Sequence, residues 1–316
     1  FGEYGFPESH SASFALLVYI SSWLKRHEPA AFTCALLNSQ PMGFYAPSQL
    51  IQDAQRHNVM ILPVDILLSH HECHLAHIPN TSKPAIRLGF NMIKGLSTKA
   101  AHNIIAHRAE HLTVDQIVRL AKLNKKDIHV LTKSDALLSS IGDRHQANWW
   151  ANGLDLNPPE LFRNLPDTQE SINLSKTTLG ENIVADYQSL GFSLREHPLS
   201  LLRTELNKRK ILTAQRIKTL RNRKSARIAG IVTSRQRPST SSGVVFVTLE
   251  DETGYTNVVI WHRIASEQRQ VLLNAKLLGV TGHIERDGQV IHLIAKKLVD
   301  YSPLLGKLVT TSRNFH

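Results

Sequence analysis

Across residues 223–301, apolar and polar positions alternate with a period of two, and clusters of turn-forming residues interrupt the alternation. That period places successive side chains on opposite faces of a strand. Ala226, Ile228, Gly230 and Val232 share one face of a first strand, and Arg227, Ala229 and Ile231 share the other. The run Arg235-Gln-Arg-Pro-Ser-Thr-Ser-Ser-Gly243 cannot be a strand interior and predicts a loop. Residues 244–250 are β-branched and aromatic, which predicts a strong second strand. A turn over 251–254 returns the chain as a third strand over 255–261. Residues 262–273 carry a helical pattern. Residues 277–285 and 290–298 predict a fourth and a fifth strand, joined by a tight turn at Asp287-Gly288.

Five strands with a helix between the third and fourth are the arrangement of an oligonucleotide-binding barrel. That fold also takes oligosaccharides, so topology alone does not name a ligand. Charge favours nucleic acid. Residues 203–227, which lead into the barrel, hold ten Lys or Arg and one acidic residue.

Upstream the period changes from two to that of a helix. A helix capped at Ser9 or Ser11 carries Phe14, Leu17, Val18 and Leu24. Pro29 ends it and starts a second, expected to bury Phe32, Cys34, Ala35 and Leu36. Pro47 opens a third that ends near His57. Residues 59–64 form a short extended run. In the polar connector over 69–84, His70, His71, Cys73, His74 and His77 crowd together, but their spacing fits no standard zinc pattern. Leu88, Met92, Ile93, Leu96, Ala100, Ile104 and Ile105 mark a helical face broken at Gly95. Ile93-Lys-Gly-Leu96 followed by Ala100-Ala101 predicts a helix-hairpin-helix, in which a glycine turn aims backbone N–H groups at a phosphate. Ser97 stands where the second hairpin glycine is usual. A degenerate copy follows, with Thr113 as helix cap and a turn over 121–126. Trp149 and Trp150 are expected as core anchors. Residues 153–180 are rich in Pro, Asn, Asp and Ser, which predicts a linker. Gln169-Glu-Ser-Ile-Asn-Leu174 within it has the look of a clamp-docking peptide, although plain linker is the better reading.

The expected organisation is multidomain α+β. It comprises a helical part over 1–78, a helix-hairpin-helix region over 79–152, a linker with a helical, basic segment over 153–222, the barrel over 223–301 and a tail over 302–316. At 316 residues the chain has room for two or three domains. Its net charge of +11 points to a polyanionic partner. Cys34 and Cys73 form no disulfide or metal pattern, no apolar run reaches the ~18 residues of a membrane span, and no signal peptide is visible. A cytoplasmic protein is expected.

Several motifs resemble one family. Tyr4-Gly-Phe-Pro-Glu-Ser-His10, Trp23-Leu-Lys25 and Pro29-Ala-Ala-Phe32 are similar to the end of the fingers region of bacterial C-family DNA polymerases. Leu36-Leu-Asn-Ser-Gln-Pro-Met-Gly-Phe-Tyr45 resembles the error-prone, damage-induced branch. Pro63-Val-Asp65, Ser134-Asp-Ala-Leu-Leu-Ser-Ser-Ile-Gly142, Asp186-Tyr-Gln-Ser-Leu-Gly-Phe-Ser-Leu194 and the tail Ser312-Arg-Asn-Phe-His316 continue the likeness. The chain opens on Phe1 inside a running motif, and the expectation is a C-terminal fragment.

The resemblance implies DNA-directed DNA synthesis in translesion repair, with two Mg²⁺ ions held by aspartates of a palm upstream of Phe1. No catalytic residue and no metal site is expected in this chain, so the isolated chain is expected to be inactive. Ser9 and His10, with Lys25, are expected beside the incoming nucleotide; a helix-capping role for His10 stays equally open. DNA grip is expected from Lys94, Gly95 and Lys99, from Lys208, Arg209 and Lys210, and from Arg235 and Arg237. Phe246, Tyr255 and Trp261 are available for base stacking where they face outward, and alternation is expected to turn some of the three into the core. Implied partners are primer-template and single-stranded DNA, the incoming deoxynucleotide, a sliding clamp and an accessory polymerase-like protein. The alternative is a stand-alone DNA-binding or assembly module without enzymatic activity.

Overall fold

In the computed structural model, residues 8–42, 45–156, 159, 174–238, 242–288, 290–306 and 313–315 are described. The chain divides into two compact units: residues 1–178 with 189–194, and residues 179–188 with 195–316.

The first unit begins with α1 (Glu8–His27), α2 (Pro29–Asn38) and α3 (Pro47–Arg56). Proline at the first turn of α2 and of α3 suits a position whose N–H needs no helical partner. α2 buries Ala30, Thr33, Cys34 and Leu37, while Ala35 is exposed. The buried stripe is therefore rotated from the expected one. A small sheet has the order β1 (Ile61–Leu62), β3 (Ala85–Arg87), β2 (His74–Ala76). The connector expected over 69–84 thus supplies a strand. Gly89 follows β3, and a Cβ there would collide with the backbone of Glu72 and Cys73.

Helices α4 (Thr98–His107), α5 (Val114–Leu120), α6 (Lys125–Lys133) and α7 (Arg144–Gly153) complete the unit. One core joins the unit from α2 onward, from Leu37 and Ile51 through Ile86, Phe90, Ile104, Ile117 and Leu131 to Trp150, with Phe192 added from the returning segment. The parts expected as 1–78 and 79–152 therefore share their apolar interior. The Trp pair splits: Trp150 is 7% exposed and donates its ring N–H to Asp115, whereas Trp149 is 51% exposed and is not a core anchor.

The second unit is the barrel with a helical cover. α8 (Leu179–Ser189), α9 (Pro198–Lys208) and α10 (Ala214–Lys218) come first. The helical, basic segment expected within 153–222 is thus ordered helix. Then follow β4 (Ser225–Gln236), β5 (Val245–Asp251), β6 (Gly254–Ile260), α11 (His262–Glu267), α12 (Arg269–Asn274), β7 (Leu277–Asp287) and β8 (Val290–Asp300). The strand order β5-β6-β8-β7-β4 closes through β4–β5 pairing, which leaves no free edge among the five. The expected five-stranded barrel, with its helical segment between third and fourth strands, is what the chain forms. β9 (Arg313–Phe315) adds a parallel partner to the end of β4.

Candidate nucleic-acid interface

Alternation along the barrel strands creates one interior and two outer faces of different character. Val245, Val247, Leu249, Val258, Ile260, Leu278, Val280, Ile284, Leu293 and Leu298 fill the interior. One outer face is covered: Ala229 and Ile231 of β4 and Leu277 of β7 pack with Ile183, Leu199, Leu206 and Ile211 from the helical segment. A polar latch fixes this cover. Arg203 forms a two-pronged pair with Glu252 (2.5 and 2.8 Å), and Asp251 accepts the N–H of Ala214 at the start of α10 (2.6 Å). His197 Nε2 lies 3.3 Å from Glu250. Burial pushes the Glu252 carboxyl up, but the Arg203 guanidinium outweighs that and holds it below its usual range.

The other outer face is made by the alternate residues of β5, β6 and β8. Register places Phe246 beside Val259, Thr248 beside Asn257, Asn257 beside His292, and Val259 beside Ile294. Val244, Val259 and Ile294 form a small apolar floor of their own. Phe246 is 38% and Trp261 54% exposed, and Tyr255 is half-buried, so none of the three aromatics belongs to the interior. His283 and His292 flank this floor on β7 and β8, and the Nδ1 atom of each is buried with no hydrogen-bond partner among the described residues. Sequence reasoning missed both histidines, although period-two counting back from Ile294 selects His292.

Cations stand at both ends of this face. Arg237 is exposed one residue beyond Gln236, which pairs with Phe246. At the far end is a cavity of about 240 Å³ lined by Lys218, Tyr255, Asn257 and Val290 among others. Lys218, Arg221, Arg223 and Lys224 are exposed there. Arg286 pins their segment by donating to the carbonyls of Leu220 and Lys218. Glu285 and Asp287 offset part of that charge.

Arg235 is a correction. It is buried, and its guanidinium donates to the carbonyls of Leu272 and Ala275 at the end of α12. The cause is a β-bulge between Val232 and Ser234 that reverses the alternation. Beyond it Arg235 pairs with the interior residue Val247, and Gln236 with the outward Phe246. Burial lowers the Arg235 pKa. This side chain caps a helix and is unavailable to DNA.

The Lys208-Arg209-Lys210 cluster is exposed, but at the covered side. Arg209 pairs with Glu205 (3.1 Å) and lies over the Tyr301 ring, and Lys208 reaches the same Glu205 at 3.7 Å. Lys210 is exposed in a left-handed turn.

In the first unit the expected hairpin forms with a shorter first arm. A single 3₁₀ turn over Phe90–Met92 replaces the expected helix. Gly95 adopts φ +87°, which only glycine takes without strain, and Ser97 caps α4 through Ala100 N–H. Two hairpin N–H groups are already engaged: Lys94 N–H with Ser189 O (2.8 Å) and Ser97 N–H with Asp127 (3.4 Å). The Asp127 carboxylate thus occupies a position where the α4 dipole would favour a phosphate. Lys99 is exposed; Lys94 leans over the Gly191 turn, and burial lowers its pKa.

The degenerate copy repeats this geometry residue for residue. Lys122 (φ 51°) takes the place of Gly95, Leu123 that of Leu96, and Asn124 that of the cap Ser97. Lys122, Lys125 and Lys126 are exposed on it. No DNA role was expected for them; the shared Leu-then-cap spacing was the available signal.

Of the nucleotide-proximal candidates, the side chain of Ser9 lies outside the described residues. His10 is exposed at the start of α1, its ring 4.4 Å from that of Phe14. Lys25 is ion-paired with Asp53 at 2.9 Å. The peptide at 169–174 falls outside the described residues but for Leu174. Cys73 accepts the N–H of Gly89, and His70 packs edge-on against His74. Among the described residues no three His, Cys, Asp or Glu are arranged to hold a metal, and Asp53, Asp251 and Glu252 are each engaged as above. These carboxylates do not fit a two-metal centre.

Comparison with known proteins agrees with this geometry. Residues 58–147 match a helix-hairpin-helix motif, and residues 226–301 match an OB-fold nucleic acid binding domain. The whole chain is 50% identical to an error-prone DNA polymerase of Dechloromonas aromatica, 49% to one of Alkalilimnicola ehrlichii and 48% to one of Azoarcus sp.. The chain matches the C-terminal part of error-prone DNA polymerases. It spans only 30–31% of the length of these curated relatives. Among the described residues, no helix is long and apolar enough to cross a membrane.

Proposed function

We propose that this chain is the DNA-holding part of an error-prone DNA polymerase acting in translesion synthesis. The observation that carries the reading is the near-50% identity to such polymerases along the entire chain, through both nucleic-acid modules. In this reading the two hairpins of the first unit grip duplex phosphates, with Lys94 and Lys99 on one and Lys122, Lys125 and Lys126 on the other. The outer barrel face takes single-stranded template: Phe246 and Trp261 stack bases, and Arg237 and Lys218 hold the backbone at either end. Ser9 and His10 approach the incoming nucleotide. The carboxylates for two Mg²⁺ ions belong to the rest of the polymerase. A sliding clamp and an accessory polymerase-like protein remain proposed partners.

The test is fluorescence anisotropy of the purified chain with single-stranded and primer-template oligonucleotides over a salt series, with primer extension alongside. Binding should be independent of sequence and fall linearly on a log–log salt plot, with no nucleotide incorporated. Affinity that ignores salt would overturn the electrostatic grip, and incorporation would overturn the placement of the catalytic carboxylates elsewhere.

A further inference from the structure

Three histidines between β1 and β3, His70, His71 and His74, lie outside both hairpins yet are stitched to the first. The carbonyls of His70 and His71 accept the N–H groups of Phe90 and Asn91, just ahead of Lys94. On the other arm, the His71 ring lies 4.8 Å from that of His102, which stands one turn beyond Lys99 on α4. Register pairs His74 of β2 with Arg87 of β3, and the His70 ring meets His74 edge-on at 4.4 Å. Arg108, at the end of α4, donates to the carbonyl of Ser69 beside His70 (2.5 Å). His70 and His102 are exposed, and the other four side chains are half-buried.

Positive and protonatable groups dominate this cluster. Burial lowers the pKa of the Arg87 and Arg108 guanidiniums, and the Asp65 carboxylate opposes it. Asp65 is already engaged, by the N–H groups of Leu67 and Leu68 and the hydroxyl of Ser139. The Glu72 carboxylate bears on the buried Cys34 and Cys73 instead. The Nδ1 atoms of His71 and His74 are buried with no hydrogen-bond partner among the described residues. Burial lowers the His74 pKa, and His70, Arg87 and Arg108 lower it further against the Glu72 carbonyl. The ring is thus held neutral in the empty protein, and an anion would reverse that balance. A metal ion is the other ligand that histidines take, but two guanidiniums beside the rings repel a cation, and no three ligating side chains are grouped here. The same guanidiniums favour an anion that accepts charge-assisted hydrogen bonds.

We propose that His70, His71, His74 and His102, with Arg87 and Arg108, form a second phosphate site beside the first hairpin, one that takes up protons as it fills. The phosphate is supplied by the DNA strand that the hairpin holds, and this part of the inference rests on the proposed polymerase reading. The sign follows from linkage. A bound phosphate raises the histidine pKa values, so binding draws in protons, and affinity climbs as pH falls through the histidine range.

Calorimetric titration of the purified chain with a short DNA duplex, in two buffers of different ionisation heat near the ordinary histidine pKa of about 6.5, counts the protons taken up. The unsubstituted chain should take up about one proton more than His70→Gln with His74→Gln, and should gain about 10-fold more affinity between about pH 8 and pH 6. His57→Gln, a control away from the cluster, should match the unsubstituted chain. Carbethoxylation by diethyl pyrocarbonate, read residue by residue by mass spectrometry, should slow at His70 and His102 when duplex is bound. That measurement needs no substitution, so misfolding of the double variant does not blur the outcome. Proton uptake that is the same with and without His70 and His74, or no protection of His70 and His102, would overturn the site. Inorganic phosphate is the second arm: protection by phosphate and none by duplex would make this a free-phosphate site and overturn its link to the hairpin. Duplex binding that persists without proton uptake sinks this inference and leaves the polymerase reading standing. No duplex binding at any pH sinks that reading, and the phosphate arm then decides the site by itself.

Discussion

The two outer faces of the barrel have the same alternation and similar apolar content, yet one is an internal seam and the other an exposed surface. Ala229, Ile231 and Leu277 meet Leu199 and Leu206 and are sealed by the Arg203–Glu252 latch. Among the described residues no helix covers Phe246, Asn257 and His292 in this way, and cations stand at either end. Apolar residues at outward strand positions therefore do not mark a ligand face by themselves. What separates the faces is the company they keep: helices with charge latches on one, aromatic and amide side chains with exposed cations on the other. The contrast makes a general prediction. Changes on the sealed side should cost stability and spare DNA binding, and changes on the exposed side should do the reverse.

Arg235 and Arg237 give the sharpest version, since they are two residues apart. Arg235→Ala strips two charge-assisted hydrogen bonds from the end of α12 and opens a hole under the barrel. The expected loss is about 3 kcal/mol, read as earlier urea unfolding of the barrel and faster exchange of its amides. Arg235→Lys should rescue little, because an ammonium cannot reproduce the fork that reaches both Leu272 and Ala275. Wild-type stability in Arg235→Ala with weakened DNA binding would return this residue to the exposed face.

That pair also shows where the sequence stopped being legible. Period two located all five strands, because a half-buried strand must alternate whatever it binds. It stopped short at Arg235, expected as the first residue of a loop, because β4 runs on to Gln236 and the bulge after Val232 turns Arg235 inward, and neither leaves a mark in the alternation. The first hairpin was legible at Gly95, whose φ of +87° strongly favours glycine. Its first arm was misread because residues 85–87 pair with β1 and β2, a long-range contact that overrides the local helical pattern. The engagement of Lys94 N–H by Ser189 spans 95 positions and has no local signal. The candidate cations were legible as a charge run, but their division between the Tyr301 side and the cavity end depends on how the run folds back on the barrel.

The latch tests the sealed face through pH. Arg203→Ala should cost roughly 2 kcal/mol near neutrality, as expected for hydrogen bonds between charged groups. The folded Glu252 pKa is depressed, so its stabilising contribution is complete above the unfolded value of about 4.3 and is lost as pH falls through the lower folded value. The stability gap between wild type and Arg203→Ala should therefore be flat from pH 7 to about 5 and shrink below that. DNA affinity should be the same for both proteins throughout the flat range. A gap that widens in acid would mean that Glu252 is not the partner that matters.

The exposed face has the smallest expected energies and the most specific signature. Phe246→Ala should weaken single-strand binding about ten-fold, the scale of one lost base stack, and hardly change the log–log salt slope. Arg237→Ala should weaken it less, and should reduce the magnitude of the slope by about one, as the loss of one phosphate contact requires. Neither change should move urea unfolding, since Arg237 is fully on the surface and Phe246 lies outside the interior cluster. The two variants therefore separate stacking from charge on the same few strands. If both reduce the slope alike, Phe246 is acting on the position of Arg237 and not as a platform. If neither alters binding, the aromatic and cationic residues of this face serve a protein partner, and the template path must run along the hairpins of the first unit.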